Sequence, residues 1–149
     1  MRLEKDLREF VELLNSRKVE YVVVGAHALA FHGHPRYTGD LDLLVRPTVE
    51  NARRIVEALV EFGFGSFGLA EDDFAKPDHV IQLGYPPNRI DLMTSISGVA
   101  FEEVWQSREN STLDGIPVSF IGRKVFVRNK TASGRLKDAA DVEALGEST

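Results

Sequence analysis

The spacing of hydrophobic and polar positions changes along the chain, and each change marks an element. In residues 2–16, Leu3, Leu7, Phe10, Val11 and Leu14 recur at helical spacing with charges between them, which predicts an amphipathic helix. Residues 20–24 are β-branched and aromatic, which predicts a buried strand ended by Gly25. Residues 26–31 suit a short helix, broken at Gly33 and Pro35. Residues 40–45 alternate and then turn fully apolar, as a central strand does. Pro47 and Thr48 offer a helix start, Ala52, Ile55, Val56 and Leu59 its apolar face, and Gly63 its stop.

Beyond Gly63 the pattern weakens. Residues 64–78 read as a loop with an acidic patch at 71–73. Residues 79–83 and 89–93 read as two strands of a hairpin, joined by a stretch rich in Gly and Pro. Residues 101–105 predict a short helix. Leu113-Asp114-Gly115-Ile116 is a hairpin-type turn into a strand at 118–121, and the chain from Arg123 to about residue 146 is helical by composition apart from Gly134. The order predicts an α+β (mixed α/β) fold, with a small mixed β-sheet and helices packed mainly on one side. At 149 residues, with no repeat or linker-like stretch, the chain is expected to form one domain spanning 1–149.

Candidate chemistry lies on the central strand. Residues i and i+2 of a strand point to one face, so Asp40 and Asp42 share a face while Leu41, Leu43 and Val45 point oppositely. Two carboxylates this close repel, and a cation relieves the repulsion. All-oxygen ligands suit Mg²⁺, with Mn²⁺ as the alternative; a solvated turn is the plain alternative for Asp-x-Asp alone. Asp91 sits between apolar neighbours in the strand at 89–93, where a carboxylate is costly unless paired or liganded. It either completes a metal site with Asp40 and Asp42 or is an edge-strand carboxylate paired with Arg89. Gly25 closes the first strand and opens a helix, where a backbone can approach phosphate; a plain strand-to-helix turn is the other reading.

Charge and composition narrow the picture. The absence of cysteine excludes disulfides, thiolate zinc sites and cysteine nucleophiles. A formal net charge of −5 does not suit general coating of DNA, although local contact with RNA or a nucleotide is compatible with basic residues clustered at Arg17-Lys18 and in the C-terminal segment from Arg123 to Lys137. A solvated helix face is the plain alternative for the C-terminal basic residues. The N-terminus lacks a signal-peptide pattern and no apolar run has membrane-span length, so a cytoplasmic location without membrane partners is expected. His27, His32 and His34 lie close in sequence; a zinc site is conceivable, but His27 or His32 lining a nucleotide pocket fits better beside hard carboxylates. Phe101 and Trp105 at i, i+4 read as a core contact, and Lys137–Asp138 as a surface ion pair.

Together, Gly25-Ala26, the run Arg36-x-Thr38-x-Asp40-Leu41-Asp42 and the later Asp91 resemble the nucleotidyltransferase superfamily typified by DNA polymerase beta. The ending from Lys130 to Leu145 is similar to that of a small bacterial branch that includes toxin–antitoxin and abortive-infection nucleotidyltransferases. The resemblance covers residues 20–145. It implies a nucleotidyltransferase-like core and an Mg²⁺-dependent transfer of a nucleoside monophosphate from a triphosphate such as ATP to a hydroxyl on RNA, protein or a small molecule, with release of pyrophosphate. Asp40 and Asp42 would hold the metal that carries the triphosphate; with Asp91 they would hold a second, near the attacking hydroxyl. Gly25, Ala26, Arg36, Thr38, Lys130, Arg135 and Lys137 would contact the nucleotide. Two departures stand out. The family's usual serine is Ala26 here, which removes a hydroxyl contact to phosphate and points to the alternative of a weak or inactive binding module. The helical ending is short, so an acceptor site would come from a homodimer partner or from a protein encoded by a neighbouring gene.

Overall fold

The computed structural model describes residues 5–34, 40–63, 68–84 and 89–146, without the side chain of Lys137. Among the described residues, six strands form one mixed sheet in the order β3-β4-β2-β1-β6-β5, accompanied by seven helices. The strands are β1 (Tyr21–Val24), β2 (Asp40–Val45), β3 (Val80–Leu83), β4 (Arg89–Met93), β5 (Glu109–Leu113) and β6 (Ile116–Phe120). The helices are α1 (Lys5–Ser16), α2 (Gly25–Phe31), α3 (Val49–Phe62), α4 (Asp72–Ala75), α5 (Phe101–Ser107), α6 (Arg123–Ser133) and α7 (Leu136–Ala144). The mixed sheet expected from the order of elements is therefore present.

Apolar runs take the centre of the sheet, and its β5 edge is polar. β1 is buried throughout, and Leu41, Leu43, Leu44 and Val45 of β2 are buried behind the two aspartates. β2 pairs antiparallel with β1 and parallel with β4, which places it inside the sheet. The edge strand β5 runs Glu-Asn-Ser-Thr-Leu with only Leu113 buried. Its polarity blunts an open edge. It also hides the strand from a hydrophobic-pattern reading, which expected only β6 there. The β5–β6 turn is of the Asp-Gly type, with Asp114 (φ 51°) and Gly115 (φ 80°) both in the left-handed region.

Local punctuation sets α3 as expected. Thr48 caps it by accepting from the Asn51 backbone N–H at 3.3 Å, and Gly63 ends it in the left-handed conformation. Asn51 is 2% exposed and locks the start of α3 to the sheet through bonds to both backbone groups of Glu20 and to the Arg46 carbonyl. The loop expected over 64–78 is corrected in part. Within its described portion, residues 72–75 form α4, which drives Phe74 into the core at 0% exposure. One buried aromatic outweighs a locally acidic sequence there. Phe101 and Trp105 stack at 5.7 Å, but both are only half-buried. Both pack against the core from its rim as expected, while Arg46 covers the two rings and Arg108 lies 3.7 Å over Trp105.

Candidate active site

Strand register brings the carboxylates together. In the parallel β2–β4 pair, Asp42 stands directly beside Asp91, and Asp40 beside Arg89. Asp40 and Asp42 occupy one face of β2, with Leu41 and Leu43 fully buried on the other. Asp91 is 5% exposed on an internal strand, so the edge-strand version of its alternative reading is excluded. Its pairing with Arg89 is nevertheless present. Arg89 Nε and Nη2 donate to the two oxygens of Asp91 at 3.0 Å each, and Nη2 lies 3.1 Å from Asp40 Oδ2. Burial, then the charges of Asp91 and Asp40, push the Asp42 carboxyl up to about 6, against a smaller opposing pull from Lys130.

Gly25 follows β1 and abuts this cluster. Its φ is +69°, and a Cβ built there would meet Asp42 Oδ2 at 2.1 Å. The residue is thus required twice, for the left-handed backbone and for the space that Asp42 fills. Gly25→Ala is expected to cost about 1–2 kcal/mol in backbone strain alone, and to rotate Asp42 off its position. Urea unfolding gives the first effect; the second appears as an acid shift of the unfolding profile toward that of Asp42→Asn.

The carboxylates form part of the wall of a cavity of about 700 Å³. Gly25 and Ala26 border it on one side; Val80, Met93 and Ile96 give it an apolar stretch; Asn129, Lys130, Ser133 and Arg135 close it from the C-terminal helices. Lys130 is 8% exposed, with Nζ 2.9 Å from Asp138 Oδ1 and 3.4 Å from Asp141 Oδ2. It is therefore not part of a solvated helix face. Asp138, fully buried, also accepts from Ser133 Oγ and from Arg135 Nε at 2.7 Å. Burial alone would raise its carboxyl, but Ser133, Lys130 and Arg135 together hold it down at about 2. Asp138 is thus no surface partner for a neighbouring lysine, because its carboxylate is used inside. By sequence Asp138 reads only as a surface partner of Lys137 and Asp141 has no role, although both fall on the helical face marked by the apolar Val142 and Leu145, all four buried.

Other sequence candidates lie elsewhere. His27 lines a separate, smaller cavity with Phe31, Leu113 and Phe120, and burial lowers its pKa. His32 Nε2 is 2.7 Å from the Ile121 carbonyl, and neither histidine borders the carboxylate cavity. His27 and the helix-ending His32 make different contacts. Arg36 and Thr38 lie outside the described residues, as does the Lys137 side chain. Among the described residues no three His, Asp or Glu side chains converge tightly enough to hold a metal ion as they stand. Arg89 bridges two of the three aspartates in that arrangement.

Neither a family profile nor a curated protein sequence matches the chain. Solved structures do. A protein provisionally classed as a nucleotidyltransferase from Thermotoga maritima superposes with a TM-score of 0.61 at 17% identity, over 92% of this chain and 88% of that one. An antigenic nucleotidyltransferase-like protein from Paracoccidioides brasiliensis superposes with a TM-score of 0.52 at 19% identity, over 96% of this chain and 75% of that one. The chain has a nucleotidyltransferase-like fold. In that nucleotidyltransferase-like frame the carboxylates occupy two neighbouring internal strands, β2 and β4, rather than an edge. No helix among the described residues is long and apolar enough to cross a membrane.

Proposed function

We propose that the chain is a divalent-metal-dependent nucleotidyltransferase that moves a nucleoside monophosphate from a nucleoside triphosphate to a hydroxyl. The observation that carries this reading is the in-register pair Asp42–Asp91, with Asp40 on the same face of β2, in the wall of a cavity of about 700 Å³. The donors are all hard carboxylate oxygens, a set that fits Mg²⁺ or Mn²⁺. The elevated Asp42 carboxyl marks a place where negative charge awaits a cation. Asp40, Asp42 and Asp91 would hold the metal. When bound, it supplies charge stabilisation to the phosphoryl oxygens and lowers the pKa of the attacking hydroxyl.

The chain's own groups position the reaction. Gly25 and Ala26 let the backbone approach the triphosphate, and Lys130 and Arg135 bring positive charge to its oxygens from the C-terminal side. Arg36, Thr38 and Lys137 are proposed contacts of the same nucleotide. The acceptor oxygen attacks the α-phosphorus, the bond to the bridging oxygen breaks, and pyrophosphate leaves with that electron pair. The hydroxyl proton passes toward Asp91 or solvent. RNA, protein and small-molecule hydroxyls are the candidate acceptors. A cytoplasmic setting within a toxin–antitoxin pair, and an acceptor site completed by a neighbouring gene product or a second copy, belong to the same proposal.

The test uses α-labelled triphosphates with Mg²⁺ or Mn²⁺ and RNA or protein acceptors. Labelled acceptor and pyrophosphate are expected from the wild type and not from Asp40→Asn. Absence of metal-dependent nucleotide binding, together with no effect of Asp40→Asn, would overturn the reading. Ala26 and the Arg89 bridge favour a second reading, a nucleotidyltransferase-like module that binds a partner without turnover. A tight stoichiometric complex indifferent to Asp40→Asn and Asp42→Asn would favour it.

A further inference from the structure

Arg89 is set into the carboxylate cluster by the strand itself. It lies two residues before Asp91 on β4, so both side chains face the same side of the sheet, and it stands in register with Asp40 on β2. Its guanidinium forms a two-point fork on Asp91, with both N···O distances at 3.0 Å, and reaches Asp40 at 3.1 Å. Asp91 is nearly sealed from solvent, with its side chain 7% exposed, whereas that of Arg89 is 29% exposed and borders the open cavity. The acid is held in place and the base has room to leave.

We propose that Arg89 is an internal counter-cation that occupies the carboxylate site and sets its affinity for divalent metal, withdrawing from Asp40 and Asp91 when the metal enters. The inference rests on reading Asp40, Asp42 and Asp91 as metal ligands. Its physical basis is competition. A fork on Asp91 takes one lone pair from each oxygen. A divalent ion held by Asp40 and Asp91 would sit within a few ångströms of a fixed positive charge, where repulsion in a partly buried site is strong. Three carboxylates without a cation repel one another, and Arg89 relieves that repulsion while the metal is absent. Metal affinity is then the difference between two cations competing for the same oxygens.

Calorimetry with Mn²⁺ alone, without nucleotide, tests this on wild type, Arg89→Gln and Asp42→Asn. The glutamine retains polarity and much of the length but not the charge. Its Mn²⁺ dissociation constant is expected to fall roughly tenfold or more below that of the wild type, given the size of near-contact charge repulsion. Without metal, Arg89→Gln is expected to melt below the wild type, and millimolar Mg²⁺ to narrow the gap. Should Arg89→Gln fail to fold, the wild type decides through the NMR signal of the Arg89 Nε–H, assigned with Arg89→Lys. That proton is expected to exchange slowly without metal and to lose its protection as Mg²⁺ saturates the site.

Wild-type binding that Asp42→Asn abolishes but Arg89→Gln leaves unchanged or weaker would overturn the counter-cation role alone. So would an Arg89 signal unmoved at saturating Mg²⁺. Absence of Mn²⁺ binding in both wild type and Arg89→Gln would overturn the metal reading, and the counter-cation role with it.

Discussion

Asp42→Asn is expected to abolish nucleotidyl transfer, by roughly 1000-fold or more in rate, while making the metal-free protein more stable at neutral pH. Both effects come from one cause. The carboxyl is pushed up to about 6 by burial and by Asp91 and Asp40, from an ordinary value of 3.8. A group whose pKa is raised on folding adds stability only where it is protonated, so its contribution is full below about pH 4 and is lost as pH rises through about 6. At pH 7–8 the folded chain therefore carries an unfavourable charge worth up to about 3 kcal/mol. Asparagine removes that charge and keeps the shape. The gain in unfolding free energy should be largest above pH 7 and shrink toward pH 4. Saturating Mg²⁺ should reverse the order, because the wild type then gains a ligand that the variant cannot hold. Denaturant unfolding at several pH values, with and without Mg²⁺, measures it. A variant less stable than wild type at pH 8 without metal would show that Asp42 is already compensated. Lost stability with retained transfer would remove Asp42 from the site altogether.

The parts of the molecule legible in sequence are those where local pattern and place in the fold agree. The strand Asp40–Val45 was readable to the residue because alternation and apolar content agree there with its central place. Thr48 and Gly63 marked α3 because a cap and a left-handed stop have few residue solutions. Asp91 stood out because a carboxylate among Ile90, Leu92 and Met93 needs an explanation. What pattern could not show was pairing. β5 is polar because it is an edge, and its existence depends on β6 rather than on its own residues. Phe74 is a core residue only because the sheet lies beneath it. Arg89 was readable as a partner for Asp91, but its second contact, with Asp40, follows from the β2–β4 register and from nothing local. The histidines mislead for the same reason: nearness along the chain says nothing about which cavity a side chain will face.

The C-terminal helices show the same effect at its largest, and Asp138→Ala is expected to destabilise the fold by about 3–5 kcal/mol, the usual cost of breaking a buried ion pair from one side. Asp138 has no exposed surface and serves Lys130, Ser133 and Arg135 at once. Removing it leaves Lys130, only 8% exposed, with Asp141 as its remaining carboxylate at 3.4 Å. The penalty depends on pH in a direction opposite to that of Asp42. A carboxyl held down at about 2 contributes stability above its ordinary 3.8, and that contribution is lost as pH falls through about 2. Urea unfolding of wild type and Asp138→Ala should therefore differ most between pH 5 and 7, with the gap narrowing steadily below pH 4. Asp138→Asn keeps the volume and some hydrogen bonding, so its deficit should be smaller at neutral pH and vary with pH in the same sense. A gap constant from pH 7 to pH 3 would mean that Asp138 stabilises by packing and neutral hydrogen bonds alone. A gap that narrows as described would identify the charge of Asp138 as what holds Lys130 and Arg135 at the cavity wall.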